Sequence, residues 1–487
     1  MMVKKYVLYL YLCLCGLTNS ISLCAQEQLG LRIERYSGTG SVGLNPANTL
    51  HNPLRWDLNI VGVGAYVSTN YAFFLDTNVP KLANNAEQLV LRKNVTNNTS
   101  PDAPVLVFSD TKALKYVAGL MTLNGPAFNM KLNDDIGVGL FVNVRAMGGT
   151  HGITPNVNFN AIDTRPFREY FEIKPSRFSA MAWSEIGLNY AHRIELDNGF
   201  LGLGVNLKYL QGYQAFYLYS TGTIQSSQFP NDTFSFVKPT VQYGFTTDIL
   251  ARKAAQTNVN GRGFGFDLGA QYIVPDEDTD ETDHKLTLGI SLLDFGRVHF
   301  RKNAQEHLIN STTVYNPNGK DFTGIKEYQD AVSLISQKAL GDPKKSFLSN
   351  RFNIGLPSAI SLQADYKIYR YNYAGVIWTQ RLTATKTTLQ RPNLLAIHYR
   401  FEHRWGALML PLSIVNYQRA QLGLAVRLAY LTLGSDNLTS FFGKRSVYGS
   451  DFYLALKFNP FKLGLNFGQA NRNGGLFSRN KVKCPTF

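Results

Sequence analysis

A set of charged side chains in this sequence occupies every second position within runs whose other positions are apolar. In a strand this spacing puts the charges on one face. A polar lining of this kind can select or orient a ligand in a pore. Equally, opposite charges can pair with one another, because an unpaired interior charge is costly. Both signs occur, so we expect several of these residues to pair across neighbouring strands. The predicted lumen-facing residues are Arg145, Glu185, Arg193, Lys208, Asp267, Asp365, Lys367, Arg400, Glu402, Arg427 and Lys457.

Residues typical of catalysis or metal binding form no recognisable motif in the chain. The eight histidines are scattered, and no metalloprotease-like or Cys-x-x-Cys spacing occurs. The acidic run Pro275–Asp283 offers oxygen ligands for calcium, but Glu281 stands where an EF-hand loop needs glycine and Thr287 where it needs glutamate. We therefore expect no metal, no cofactor, no catalytic residue and no enzyme activity.

The glycine-rich run Gly261–Gly269 shares only its glycine count with a dinucleotide-binding loop. Apolar residues alternate within it, as in a strand, and no strand–helix–strand pattern follows. Glycine in a strand often marks the close approach of another segment. We therefore interpret these glycines as room for a neighbouring part of the chain.

Composition excludes several classes of protein. Only 17% of the 487 residues are charged, against about 25% in typical globular domains. Aromatic residues make up 13%, which argues against disorder and coiled coil. Beyond the N-terminus no run approaches the roughly 18–20 apolar residues of a membrane-spanning helix. The net charge of +15 would suit nucleic acid, but an exported protein does not meet the genome, so we expect no nucleic-acid partner.

The N-terminus has the layout of a secretory signal peptide. Two lysines precede the apolar run Tyr6–Leu17, and Ala25 provides a small residue at a plausible cleavage site. Residues 1–25 are accordingly predicted to be removed. Cys484 would then be the single remaining cysteine, so no intrachain disulfide is expected.

From Phe128 onward the dominant hydrophobic period is two, which indicates strands. Ile136–Ala146 and Phe352–Ile368 are clear examples, with apolar residues at even positions. Short turns such as residues 197–199 alternate with long polar connections. We predict an all-β, antiparallel barrel of about 14 strands. Helix-like patterns appear near Lys81–Leu91 and Asp110–Leu123, and a short helix is expected in Lys326–Leu340.

Such amphipathic strands fit a soluble β protein or a transmembrane barrel. The export signal, the strand lengths, the alternation of short turns with long loops and the aromatic residues at strand ends favour the transmembrane barrel. We therefore predict a bacterial outer-membrane location.

Several motifs resemble an uncharacterised outer-membrane β-barrel family of Bacteroidota, a domain of unknown function. They extend over nearly the whole chain that would follow the signal peptide and are mostly strand and turn residues. The motifs are Gly40–Ala47, Trp183–Ala191, Leu207–Gly212, Gly289–Gly296, Leu356–Leu362 and Leu433–Leu438.

A more distant similarity connects the chain with long-chain fatty-acid transporter (FadL-like) barrels and with the accessory barrel of the type IX secretion system. It is carried by the turn Asn45, Pro46 and Ala47. In those transporters the N-terminal segment plugs a 14-stranded barrel. The resemblance implies a hatch-like segment at 26–56, a barrel at 57–470 and a polar tail at 471–487. The tail departs from the usual closing strand, although Phe487 is a terminal aromatic residue.

Two functions remain open. The barrel could let a hydrophobic or amphipathic small molecule pass through the outer membrane. Alternatively, it could be a non-transporting scaffold or partner in a secretion or envelope complex. Other predicted partners are outer-membrane lipid or lipopolysaccharide. Basic residues near strand ends could meet their phosphates, namely Arg351, Arg381, Arg391, Arg404, Lys444 and Arg445.

Overall fold

The computed structural model describes most of the chain. The described residues are 27–97, 99–249, 258–276, 283–323, 325 and 328–459. The predicted signal peptide, the polar tail with Phe487, and residues 277–282 of the acidic run lie outside them.

Within the described residues, fourteen antiparallel strands form a closed barrel, in which each strand pairs with the next along the chain and the last pairs with the first. The prediction of an all-β antiparallel barrel of about 14 strands is confirmed. The strands are β1 Trp56–Thr69, β2 Lys115–Lys131, β3 Ile136–Ile153, β4 Arg177–Leu196, β5 Gly199–Ser220, β6 Gly261–Pro275, β7 His284–Phe300, β8 Ala359–Tyr369, β9 Asn372–Arg381, β10 Leu394–His403, β11 Gly406–Val415, β12 Leu424–Leu428, β13 Leu431–Ser435 and β14 Gly449–Phe458.

The outer face of the barrel is apolar, because the alternating pattern of the sequence turns one set of side chains outward. In β4, Leu188 is 59% exposed, while its neighbour Asn189 is buried on the inner face. Exposed aliphatic residues continue around the barrel. They include Leu140, Val144, Ile186, Leu203, Leu207, Leu268, Leu288, Ile290, Leu362, Ile397, Leu412 and Leu433.

The two ends of the barrel differ in the length of their connections. Residues 132–135, 197–198, 370–371, 404–405 and 429–430 form short turns at one end, the short-turn end, where β1 begins and β14 ends. The opposite end, the long-loop end, carries the extended connections.

The long connections are themselves folded. One small sheet contains Ala72–Thr77, Val90–Leu91, Val105–Phe108 and Arg445–Val447, and another contains Tyr170–Ile173, Ile224–Phe229, Thr233–Val237 and Val314–Tyr315. Further strands that extend the barrel sheet are Thr240–Thr246, Ala304–Asn310, Phe347–Ser349, Phe352–Gly355 and Arg419–Leu422.

The helices are short. They are α1 Asn48–His51, α2 Val79–Asn84, α3 Phe159–Thr164 and α4 Tyr328–Leu340. The 3₁₀ turns are Leu29–Leu31, Arg35–Gly43, Ala86–Gln88, Arg92–Asn94, Pro155–Val157, Thr247–Ile249, Gly319–Phe322 and Leu438–Phe441. Of the helices that the structure describes, none combines the length and apolar character needed to cross a membrane.

Three details differ from the sequence predictions. The helix expected at Asp110–Leu123 is wrong, because β2 occupies most of it. The helix expected at Lys81–Leu91 is largely wrong too, since α2 ends at Asn84. The single run Phe352–Ile368 is two strands separated at residues 356–358, where proline, which has no N–H to donate to a ladder, interrupts the sheet. The helix predicted in Lys326–Leu340 is present as α4.

Candidate functional site in the barrel lumen

Residues 27–55, here called the N-terminal segment, run through the barrel as far as Arg55, which is exposed at the short-turn end where β1 begins. The amide of Gly30 donates to the Tyr453 hydroxyl of β14 at 3.0 Å. The Asn206 side chain of β5 donates to the Val42 carbonyl at 3.2 Å, and the Ser291 hydroxyl of β7 donates to the Leu44 carbonyl at 2.7 Å. Because these partners are on different sides of the barrel, the segment crosses the lumen.

The turn Asn45, Pro46 and Ala47 contacts three parts of the inner wall. The Asn45 amide group donates to the Ala270 carbonyl of β6 and to the Gln363 side chain of β8, both at 3.1 Å. The Asn189 side chain of β4 donates to the Pro46 carbonyl at 3.0 Å. This turn, singled out in the sequence, is therefore fixed by the side chains of Asn189 and Gln363 and by the backbone carbonyl of Ala270, which belong to three strands.

Glycines on the wall provide the space for this turn. A Cβ atom on Gly204 would lie 2.4 Å from the backbone of Pro46 and Ala47. A Cβ atom on Gly269 would lie 2.1 Å from the Asn45 side-chain oxygen. Both distances are far inside van der Waals contact. Within the Gly261–Gly269 run, Gly269 lies against the N-terminal segment, whereas a Cβ atom on Gly261 or Gly263 would meet the paired strand β7.

Ion pairs also connect the N-terminal segment to the wall. The Arg427 Nε atom lies 2.9 Å from the Glu34 carboxylate, and both side chains are almost fully buried. The Arg35 Nε atom lies 2.9 Å from Glu402, and its Nη1 atom lies 3.0 Å from Asp283. The segment thus carries charges of both signs that are matched by the wall.

The outermost part of the segment is bound near the long-loop end. Glu27 accepts a hydrogen bond from the Arg391 Nε atom at 2.9 Å and pairs with Arg32 at 2.8 Å. Burial alone would raise the pKa of Glu27, but the guanidinium groups of Arg391 and Arg32 outweigh it and hold the pKa below its usual value. The expectation that Arg391 meets lipid phosphates is wrong, because its side chain turns inward to this carboxylate.

Asp294 is the centre of a buried charge cluster that the sequence prediction missed. Its carboxylate binds Arg145 bidentately at 2.8 and 3.0 Å and lies 2.8 Å from the Lys208 Nζ atom. Lys208 also contacts Asp267 at 2.7 Å, and Arg145 lies 3.6 Å from Glu185. Asp294 has a φ of 51°, and the register between β6 and β7 shifts beside it. Such a bulge redirects a side chain in a way that simple alternation does not predict.

A second cluster lies near the short-turn end. Arg400 contacts Asp365 with both terminal nitrogens at 2.6 Å and Glu402 at 2.8 Å. His284 Nε2 lies 2.6 Å from Asp365, and its Nδ1 atom lies 3.0 Å from His51 of the N-terminal segment. The predicted residues Asp365, Arg400 and Glu402 are therefore brought together, whereas His51 and His284 were not foreseen.

Of the remaining predicted residues, Lys367 adjoins the second cluster, because its partner Asp283 also contacts Arg35, which pairs with Glu402. Lys367 pairs with Asp283 at 2.5 Å. The Lys457 ammonium group donates to the Ser37 carbonyl of the N-terminal segment. Arg193 is partly exposed near the turn that follows β4 and pairs with its near neighbour Glu195.

A cavity of about 110 Å³ lies between the N-terminal segment and the inner faces of β1 to β7 and β14. Leu120, Phe141 and Met147 supply apolar surface, and Arg145 and Lys208 supply charge together with carboxylates that include Asp294. The cavity is therefore amphipathic. Among the residues that the structure describes, no group of three or more His, Cys, Asp or Glu side chains is placed to hold a metal ion.

Comparison with solved structures finds several barrels of very low similarity. The toluene transporter TodX of P. putida is 10% identical, with 87% of this chain and 94% of that chain covered and a TM-score of 0.39. The translocator domain of the autotransporter NalP from Neisseria meningitidis is 9% identical, with 83% and 88% covered and a TM-score of 0.29. A Pseudomonas aeruginosa FadL homologue is 11% identical, with 90% and 100% covered and a TM-score of 0.24. These values are too low to support an argument about function.

No curated protein matches the chain by sequence. A family model matches residues 46–436, from Pro46 in the turn to Asp436, the residue that follows β13. The matched region thus includes the lumen clusters described above. The chain belongs to the family of unknown function DUF5723.

Proposed function

We propose that the protein is an integral outer-membrane barrel through which a small amphipathic molecule passes, gated by the N-terminal segment. The apolar outer face supports the membrane position. Leu188 and Leu207 lie side by side in the register of β4 and β5, and both are more than half exposed. In water such a belt would be an aggregation hazard, whereas in lipid it is the normal surface of a barrel.

The single observation that carries the gating proposal is the attachment of the N-terminal segment. Leu29, Leu31, Ile33 and Leu44 of the segment pack against apolar residues of the wall. The polar side-chain contacts that hold the segment in the lumen, such as Glu34 with Arg427 and Thr49 with Asn189, are ion pairs and hydrogen bonds. These contacts can exchange for water or ligand contacts at modest net cost. The adjoining cavity provides space into which the segment can move. Its lining of apolar side chains together with paired charges of both signs favours an amphipathic molecule.

A reversible tether tests this proposal. The Thr49 hydroxyl lies 2.6 Å from the Asn189 side-chain oxygen, so Thr49→Cys with Asn189→Cys would join the segment to β4. Uptake of a fluorescent fatty acid into proteoliposomes is expected with the reduced double variant and is expected to stop after oxidation. Each single cysteine variant is the matched control and should transport under both conditions. Absence of uptake by every form, including the unmodified protein, would contradict passage.

A second function, a closed scaffold for an envelope complex, is favoured by the folded connections at the long-loop end. Two four-stranded sheets give this end a large ordered surface, and ordered loops of this kind suit protein contacts. Native purification from outer membranes with mass spectrometry distinguishes the two functions. A scaffold should retain a stoichiometric partner and show no uptake in the tether experiment.

A further inference from the structure

A basic cavity opens on the outer wall of the barrel near the long-loop end. It measures about 620 Å³ and lies at the upper end of β7, beside the interruption between Phe352–Gly355 and β8. Its cationic lining residues are Arg297, Arg301, Arg351 and Lys386, and together with His299 they are here called the basic wall patch.

The part of the patch on β7 faces outward because β7 changes its inward and outward positions at the Asp294 bulge. Beyond it, Val298 and Phe300 are fully buried in the interior, whereas Arg297 is exposed. Strand alternation then places Arg297 and His299 on the outer face. His299 lies 2.6 Å from Asn353 of the adjoining strand, which is also exposed.

The charges of the patch are not neutralised by the protein. Within the described residues, Arg297, Arg301 and Arg351 have no carboxylate at ion-pair distance, and Lys386 contacts only the ring of Tyr219, at 5.3 Å. The carboxylate of Glu306 lines the cavity but accepts hydrogen bonds from Tyr217 and Gln242. The cavity thus offers a concentrated positive potential to an anion.

The position of the patch identifies the kind of anion. Phe264 lies beside Arg297 on the same outer face, because the two residues pair in register, and it is 75% exposed. Phe295, two residues further down β7, is 40% exposed. Further down, the outer face becomes aliphatic with Leu268, Leu288 and Ile290. A vertical order of aliphatic, aromatic and cationic side chains matches acyl chains, interface and headgroups.

We propose that the basic wall patch binds the phosphate groups of a phosphorylated lipid in the outer leaflet. Guanidinium groups suit this role because they bind phosphate bidentately. The aromatic and aliphatic surface below receives the acyl chains of the same lipid. Arg262, which lies opposite His299 on β6 and is exposed, extends the cationic surface. The inference rests on the proposed membrane position but is independent of passage through the lumen.

Native mass spectrometry of the detergent-solubilised full chain with diphosphoryl lipid A tests the proposal. The variant carrying Arg297→Gln, Arg301→Gln, Arg351→Gln and Lys386→Gln is expected to bind roughly 100-fold more weakly or worse, since each basic group near a membrane surface adds attraction. The side chains are exposed, so folding should be preserved, which an unchanged heat-modifiable gel shift would verify.

The matched control removes four exposed cations at the short-turn end, Arg55→Gln, Lys285→Gln, Arg370→Gln and Arg404→Gln. The affinity of this control variant for diphosphoryl lipid A should stay within about threefold of that of the unmodified protein, because those residues are on the opposite membrane surface. Equal loss in both variants would overturn the proposal, since binding would then follow net charge alone.

Two further arms identify the source of the phosphate. Dephosphorylated lipid A should bind as weakly to the unmodified protein as diphosphoryl lipid A binds to the patch variant. Displacement of the lipid by millimolar inorganic phosphate would overturn a lipid site in favour of free anion binding. Insertion of both variants into phosphatidylcholine vesicles is scored separately, so that failure of the membrane position is distinguished from failure of lipid binding.

Discussion

The Nε2 atom of His51 lies 3.0 Å from the Nδ1 atom of His284, and this contact joins the N-terminal segment to β7. The opposite nitrogen of His284 lies 2.6 Å from Asp365, which is held by Arg400. Two imidazoles can share one hydrogen bond only while at least one ring is neutral. The contact therefore makes the docking of the segment sensitive to protonation.

We predict that docking of the segment weakens as the pH falls below about 6.5, the usual pKa of imidazole. Burial, His284 and Arg35 hold the pKa of His51 well below that value, opposed by Asp365. Between the two pKa values, the detached segment binds a proton that the docked segment does not. Docking is thus fully stable above pH 6.5 and loses stability below it. Proteoliposome uptake measured at pH 7.5 and at pH 5 tests whether docking of the segment weakens in acid.

His51→Gln is the control for this pH dependence. Its side chain can still hydrogen bond to His284 but does not titrate near neutral pH, so the response to acid should shrink. An identical response in the variant and the unmodified protein would show that another group is responsible.

Adding a methyl group at the glycines under the Asn45, Pro46 and Ala47 turn should displace the segment. Gly204→Ala and Gly269→Ala each place a Cβ atom within 2.4 Å of the turn. We expect raised single-channel conductance or greater protease cleavage of the segment. In Gly119→Ala the nearest contact is an ordinary 3.8 Å, so this control should resemble the unmodified protein. Equal effects at all three positions would argue against a specific close approach.

Removing one partner of the buried pair between Glu34 and Arg427 should destabilise the closed state. Arg427→Met leaves the Glu34 carboxylate buried beside an apolar side chain, at a cost of about 3–5 kcal/mol. The double variant Glu34→Gln with Arg427→Met should recover most of that loss, since no unpaired charge remains. Denaturant unfolding in phospholipid vesicles measures both. Additive losses in the double variant would mean that the two side chains act independently.

Because the outer face is apolar, the folding free energy lost by adding a charge there should depend strongly on the depth of the charge in the membrane. Leu188→Arg places a cation near the middle of the apolar belt and should cost about 2–4 kcal/mol of folding free energy in a bilayer. Leu196→Arg, at the end of the same strand, should cost only about 0–1 kcal/mol. Tryptophan fluorescence during reversible unfolding in vesicles compares them. Similar costs at the two positions would contradict a membrane-embedded outer face.

Alternation with a period of two was enough to predict an antiparallel barrel of about 14 strands and the inner face of most strands. The reason is that side chains in a strand point to opposite faces in turn, so an apolar set of residues fixes one face. Glu185, Lys208, Asp267, Asp365 and Arg400 could be assigned to the interior on this basis alone. In the structure these side chains take part in the ion pairs described above.

Only the tertiary structure decided which charges meet. Arg145 binds Asp294, which is 149 residues later in the chain. Arg427 pairs with Glu34, which lies in a segment without a strand pattern. Arg391 looked like a headgroup ligand but is buried against Glu27. Closure of the barrel brings such residues together. The local alternation of side chains does not predict which residues from distant parts of the chain will be in contact.

The structure also decided where a strand changes face. The bulge at Asp294 and the interruption at residues 356–358 each shift the alternation by one position. Such a shift moves every later side chain to the other side of the sheet. Arg297 and Asn353 therefore face outward, although a continuous pattern through Phe352–Ile368 gave Asn353 the same face as Asp365 and Lys367. Composition and the hydrophobic period of two thus determined the barrel. The bulge at Asp294 and the interruption at residues 356–358 determined on which face the nearby polar and charged side chains lie.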